Sequence, residues 1–195
     1  MPSDGSSSDR FGRDVRIDGD RIIVGSPVDD DNGNASGSVY IYDWDGSNWI
    51  ETKLTPSDGK AIDEFGQHVA IDGDRAAVGA KSGFYIYDLV GSVWVETKPF
   101  LTDYIPQPSN VLEVAISGDR VVVGNHKDVT FGSQSGVIHV FDLIGGNWSE
   151  TKIWASDSDS NDLFGWTVSI DQVQIAVGAR GDEDNGSFSG SSYVY

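Results

Sequence analysis

The feature that most constrains this chain is a repeat. Four segments align residue by residue: "FGRDVRIDGDRIIVG" from Phe11, "FGQHVAIDGDRAAVG" from Phe65, "NVLEVAISGDRVVVG" from Asn110 and "FGWTVSIDQVQIAVG" from Phe164. They divide the chain into repeats at 11–64, 65–109, 110–163 and 164–195. A unit this small cannot bury a core alone, so tandem copies must stack on one another.

Each repeat is written in period two. In "VRIDGDRIIVG" apolar residues alternate on both sides of a Gly-Asp pair, a strong hairpin signal. "SVYIYD" reads as a third strand and "NWIETK" as a fourth, with Trp49, Trp94 and Trp148 at one recurring position. No stretch holds a helical period long enough to compete. The pattern predicts an all-β chain, a β-propeller of about four four-stranded blades over 1–195, the last blade lacking its fourth strand at Tyr195. The recurrent tryptophan reads as packing between blades. The opening "PSDGSSSDR" matches the linker "PSDGKAIDE" and supplies no further strand. Three arrangements stay open: a segment of a larger propeller, a four-bladed ring with one thin blade, or two chains that complete each other's blades and leave no edge unpaired. A segment or assembling unit is favoured over a self-contained ring.

The Phe-Gly before the first strand, with "VGSP", "VGAK" and "VGAR" after the second, resembles the FG-GAP repeats of integrin α-subunits and of many bacterial and algal surface proteins. The resemblance spans essentially the whole chain. Asn110-Val111 departs from it in the third repeat, and Ser26-Pro27 is the nearest approach to Ala-Pro. It implies a propeller, usually of seven blades, that works by binding in an extracellular or cell-surface setting. It also implies calcium, carried in the family by an Asp-x-Asp-x-Asp-Gly hairpin between strands one and two. Here that hairpin is only "IDGDR", so those metal residues do not carry over.

Charge narrows the partners. A formal net charge of -18 opposes nucleic-acid backbones and anionic membrane surfaces, and favours cations and basic partners. No apolar run is long enough to span a bilayer, and the polar start shows no signal-peptide pattern. With 38% hydrophobic residues the chain is too apolar to be a disordered acidic tail. Cysteine is absent, which removes disulfides and thiolate metal sites.

Two loops carry the most suggestive chemistry. "DDDNG" (Asp29, Asp30, Asp31, Asn32) and "DEDNG" (Asp182, Glu183, Asp184, Asn185) follow the second strand of the first and fourth repeats. Carboxylates and amides before a glycine suit a calcium ion, and they equally suit a plain turn. Together with Asp58, Asp63, Glu64, Asp157, Asp159 and Asp162 they form an expected acidic loop face for a protein or glycan ligand, with calcium as a candidate cofactor. Trp44, Trp154 and Trp166 fall outside the recurring tryptophan position and are candidate sugar platforms. Arg180-Gly181-Asp182 spells an integrin-recognised tripeptide on a loop expected to be accessible. The three histidines, His68, His126 and His139, have no triad order or metal spacing around them. The expected function is a non-catalytic adhesion or recognition module. The alternatives are self-assembly as a homo-oligomer through incomplete blades, and service as an accessory propeller, since such units sometimes accompany phospholipase domains.

Overall fold

The structure is a computed structural model that describes residues 2–107 and 109–195. All regular structure among them is β, so no helix is long and apolar enough to cross a membrane. The chain divides into two compact units, residues 1–99 and 100–195.

Unit 1 holds two four-stranded sheets. The first is β1 (Val15–Asp18), β2 (Arg21–Ser26), β3 (Ser38–Trp44) and β4 (Trp49–Leu54). The second is β5 (His68–Asp72), β6 (Arg75–Ala80), β7 (Gly83–Val90) and β8 (Val93–Thr97). Unit 2 repeats the plan with β9 (Glu113–Ser117), β10 (Arg120–Asn125), β11 (Val137–Ile144) and β12 (Asn147–Ile153). Its other sheet has three strands, β13 (Phe164–Asp171), β14 (Gln174–Ala179) and β15 (Ser191–Val194). Every sheet is an antiparallel meander in chain order, the form of a propeller blade.

The hairpin signal translates directly. Asp18 pairs with Arg21, Asp72 with Arg75 and Ser117 with Arg120, leaving two-residue Gly-Asp loops. The glycines at 19, 73 and 118 adopt positive φ, which two-residue hairpin turns demand. In the fourth sheet Gln172 takes that conformation at φ 55°.

Sheets pack face to face within each unit. In unit 1, Ile23, Val39, Ile41 and Leu54 of the first sheet meet Val69, Ile71, Val78, Tyr85 and Tyr87 of the second. In unit 2, Val122, Ile138 and Val140 meet Val168, Ile175 and Val177. The Phe-Gly motif fits between them. Phe65 is fully buried and stands edge-on to Tyr85 at 5.2 Å, and Phe164 does the same to Tyr193 at 5.3 Å. Its glycine lies against the Val-Gly of the preceding sheet. A Cβ on Gly25 would stand 1.8 Å from the Gly66 carbonyl oxygen, and one on Gly124 would stand 2.2 Å from that of Gly165. Two backbones touch there, and any side chain would force the sheets apart. Where Asn110 replaces phenylalanine, its buried amide donates to the Asn125 side chain at 2.8 Å.

The recurrent tryptophan behaves as expected at one position and differently at another. Trp94 is 8% exposed and carries the Arg21 guanidinium of the first sheet 5.0 Å above its ring, which is packing between blades. Trp49 is 44% exposed and rests on Trp44 at 5.3 Å, because no sheet of unit 1 precedes its own.

Candidate functional site

The acidic loops are wired inward. In the first sheet Tyr40, Lys53 and the loop after β2 meet the N-terminal segment. The Lys53 ammonium lies 2.7 Å from Asp4, 2.9 Å from Asp29 and 2.6 Å from Asp31. The Tyr40 hydroxyl lies 2.7 Å from Asp4 and 3.1 Å from Asp29, and Ser38 donates to Asp29 at 2.8 Å. Cross-strand register explains the meeting, since Tyr40 pairs directly with Lys53. Asp29 also accepts the amide of Asp31, an ordinary turn-capping bond.

The electrostatics follow from that geometry. Burial alone would raise the Asp29 carboxyl, but hydrogen bonds from Lys53 and Ser38 outweigh it and hold the group below its ordinary value. Asp4 is lowered chiefly by its bond from Lys53. Burial tends to lower Lys53, yet its bonds to Asp31 and Asp4 leave it raised. Burial, with Asp4 as acceptor, pushes the Tyr40 hydroxyl up to about 12. A lysine therefore supplies the positive charge beside "DDDNG". Among the described residues no group of three or more carboxylate or imidazole side chains converges as a metal shell.

The second sheet repeats the arrangement. Lys98 reaches Asp58 at 2.8 Å and the Tyr85 hydroxyl at 2.7 Å, and Tyr85 donates to Asp58 at 2.7 Å. In the third, His139 stands in the tyrosine position. Its Nδ1 is 2.7 Å from Glu150, and burial lowers its pKa despite that carboxylate. Lys152 still reaches the linker at Asp103, 2.9 Å away.

In the fourth sheet the Tyr193 hydroxyl lies 2.8 Å from Asp157 and 2.9 Å from Asp182, with no lysine beside them among the described residues. Asp182 is 2% exposed, which corrects the expectation of an accessible Arg-Gly-Asp: its carboxylate is spent on Tyr193 and on the Asp184 amide. Asp162, buried near Asp182 and Asp159, has a raised pKa, with burial the largest cause. Asp30, Asp31, Asn32, Glu183, Asp184 and Asn185 remain at the surface or partly so. The acidic face thus keeps fewer free carboxylates than its sequence suggests, with Asp29, Asp63, Asp162 and Asp182 all buried.

A groove lies instead at the opposite strand ends of unit 1, where the β1–β2 and β5–β6 hairpins turn. It has a volume of about 540 Å³ and is lined by Asp18, Asp20, Asp43, Asp74, Trp44, Trp94, Ile50 and Arg21, among others. Arg21 is committed within it, at 2.5 Å from Asp43 and 2.9 Å from Asp74. Asp18 accepts the Gly73 amide at 2.7 Å, which fixes the two hairpins together. Of the candidate platforms, Trp44 opens onto this groove. Trp154 is held edge-on by Phe131 at 5.8 Å. Trp166 is covered by the Arg180 guanidinium at 4.0 Å and by His126 at 4.5 Å, so two residues proposed for different roles stack on each other. Sequence reasoning missed Lys53, Lys98 and Arg21. The recurring "ETK" and "GDR" were their signal.

No curated protein matches the chain. A family model described as FG-GAP repeat matches residues 1–42, 49–95 and 148–195. Those segments cover well over half of the sequence, and they carry the Phe-Gly and Val-Gly positions at which adjacent sheets touch: the chain belongs to the FG-GAP repeat family.

Proposed function

We propose that this chain is a non-catalytic recognition module of an extracellular or cell-surface protein, and that it takes a basic, extended segment of a partner protein in the groove of unit 1. The supporting observation is the lining: the half-exposed ring of Trp44 faces a rim of Asp18, Asp20 and Asp74 carboxylates. A lysine or arginine side chain meets both requirements, charge at the carboxylates and a ring face for its cation. The net charge of -18 would steer such a partner inward and make association depend on salt. Calcium enters this reading as a competitor for the same exposed carboxylates.

The paired exposed rings of Trp44 and Trp49 favour a second reading, a glycan stacked on the tryptophans. One titration separates the two. Lys/Arg-rich peptides and a panel of oligosaccharides are added while tryptophan fluorescence is followed at low and high salt. The peptide reading expects saturable binding that weakens with salt and drops in Trp44→Ala and Asp74→Asn. Salt-insensitive binding to a sugar, lost in Trp44→Ala alone, selects the glycan. Peptide binding untouched by either substitution moves the site away from the groove.

A further inference from the structure

One corner of the contact between the third and fourth sheets is built differently from its counterpart between the first and second. After β6 stands Lys81, whose ammonium lies 2.7 Å from Glu64 of the preceding linker. After β14 the same repeat position is Arg180, and Leu163 stands where Glu64 does. The two linkers turn alike. Glu64 and Leu163 take positive φ, 52° and 59°, and their carbonyls accept the amides of Gln67 and Trp166. Trp166 itself replaces Gln67. An internally neutralised pair has become an arginine on a tryptophan.

Arg180 is exposed, and its guanidinium lies 4.0 Å over the Trp166 ring. Among the described residues no carboxylate forms an ion pair with it, whereas Arg21, Arg75 and Arg120 each bond an aspartate. Asp182 turns inward instead, accepting from Tyr193 at 2.9 Å and from the Asp184 amide at 3.0 Å. The local backbone holds the arginine in place. The register of β13 on β14 slips between Phe164 and Thr167, so Trp166 sits in a bulge, a device that re-aims a side chain. Gly181 packs so closely on the linker that a Cβ would stand 1.9 Å from the Asn161 carbonyl oxygen. Its amide donates to the Asp162 carbonyl at 2.9 Å. His126, from the loop after β10, stands 4.5 Å from the same tryptophan ring. Beside it in sequence, Lys127 donates to the Ser109 hydroxyl at 2.6 Å.

We propose that Arg180, held on Trp166 beside His126, is a carboxylate-binding site of unit 2, and that it takes a glutamate or aspartate side chain from an acidic segment of a partner polypeptide. A guanidinium carried over a ring directs its N–H donors sideways, where a carboxylate can accept two of them at once. The ligand carboxylate thus takes the role that Glu64 plays for Lys81. The class of partner follows from what the surroundings leave open. Arg180 and His126 crowd the Trp166 ring, which removes the platform a sugar would stack on. A net charge of -18 opposes densely sulfated or phosphorylated chains more strongly than it opposes a single carboxylate. The site lies in the other unit from the groove and takes the opposite charge, so its success or failure is independent of that reading.

The test titrates the blocked peptide acetyl-Gly-Glu-Glu-Gly-amide into the whole chain at low salt and follows backbone amide shifts. The expected result is saturable shifts confined to 126–127, 165–166 and 180–181, weakened by salt and missing with the Gln-Gln version of the peptide. Two variants separate binding from packing. Arg180→Lys keeps a charge near the ring without the fork, and should bind about fivefold more weakly. Leu163→Glu rebuilds the internal pair of the second sheet, and should bind about tenfold more weakly. Circular dichroism of both chains checks that the sheets remain folded. Affinity unchanged in either variant, or no shift at millimolar peptide, overturns the proposal. So does glucuronate that shifts the same amides at lower concentration than the peptide, because that outcome assigns the site to a sugar acid.

Discussion

The loop after β2 and the loop after β14 are nearly the same text, "DDDNG" and "DEDNG", and they live in different electrostatic surroundings. Around the first, Lys53 gathers Asp4, Asp29 and Asp31, and its bonds hold Asp4 and Asp29 below their ordinary carboxylate values. Around the second, Asp182 keeps the tyrosine, serine and amide bonds but has no ammonium among the described residues, and neighbouring Asp162 is pushed toward its neutral form by burial. The loop sequence sets the turn. What the turn can bind is decided by a strand more than twenty residues further on.

The most demanding way to break that contrast is to neutralise the two equivalent aspartates. Asp29→Asn should cost about 3 kcal/mol, since it weakens the charge-assisted bonds that the buried carboxylate accepts from Lys53, Ser38 and Tyr40. Asp182→Asn should cost only about 1 kcal/mol, one ordinary hydrogen bond. Urea unfolding of both variants, followed by tryptophan fluorescence, compares them, and equal losses would remove the lysine from the explanation.

Next in size is Lys53→Gln, expected to lose about 2 kcal/mol at neutral pH. This variant also makes the first loop resemble the fourth. At 10 mM calcium and an extracellular-type affinity on the order of 10⁻³ M it should regain about 1 kcal/mol, reversibly with EDTA, while the unaltered chain gains little. Equal calcium responses would show that Lys53 does not occupy a cation's place.

Acid sharpens the contrast from another side. Asp4, Asp29 and Asp58 have lowered folded pKa values, so their contribution is complete above the ordinary carboxylate range and is lost as pH falls through the folded values, below about 4. In the fourth sheet Asp182 is lowered too, by bonds from the Asp184 amide and Tyr193 that outweigh its burial, but Asp162 has a raised folded pKa and the opposite sign: its contribution is present at low pH and lost as pH rises through the folded value. Hydrogen exchange at pH 3 and pH 6 should therefore show acid loosening residues 38–54 more than residues 164–179.

The smallest effect concerns His139. Its lowered pKa means that the neutral ring stabilises the fold above about 6.5, and that this contribution fades as pH falls through the folded value. His139→Tyr installs the residue found in the other three sheets, and it should flatten the stability profile of unit 2 below about pH 6.5. A profile unchanged by the substitution would place the titration elsewhere.

Much of the fold was legible because each sheet is local. The Gly-Asp hairpins, the alternating strands and the repeat frame all rest on neighbours in sequence, and all four sheets follow it. The site was less legible because its bonds are long-range. Nothing in "DDDNG" says that Asp29 will be buried, since the burying groups are Tyr40 on the adjacent strand and Lys53 on the next. Arg180-Gly181-Asp182 misled for the same reason: accessibility belongs to the packed loop and not to the tripeptide. Trp49 and Trp94 hold one repeat position and differ in exposure because a neighbouring sheet covers only the second.

The contact between Gly25 and Gly66, matched by Gly124 and Gly165, has a consequence for how such chains can change over time. It fixes the spacing of adjacent sheets through main-chain atoms alone, at a point outside the variable loops. The connection from the second to the third strand runs through 27–37 in the first sheet and only 81–82 in the second, yet both sheets keep the same register of Val-Gly against the third strand. Loop length is thereby decoupled from sheet spacing. A lineage can lengthen, shorten or recharge the loops as a free alphabet for recognition, while two hydrogen-sized side chains keep the pitch of the stack constant.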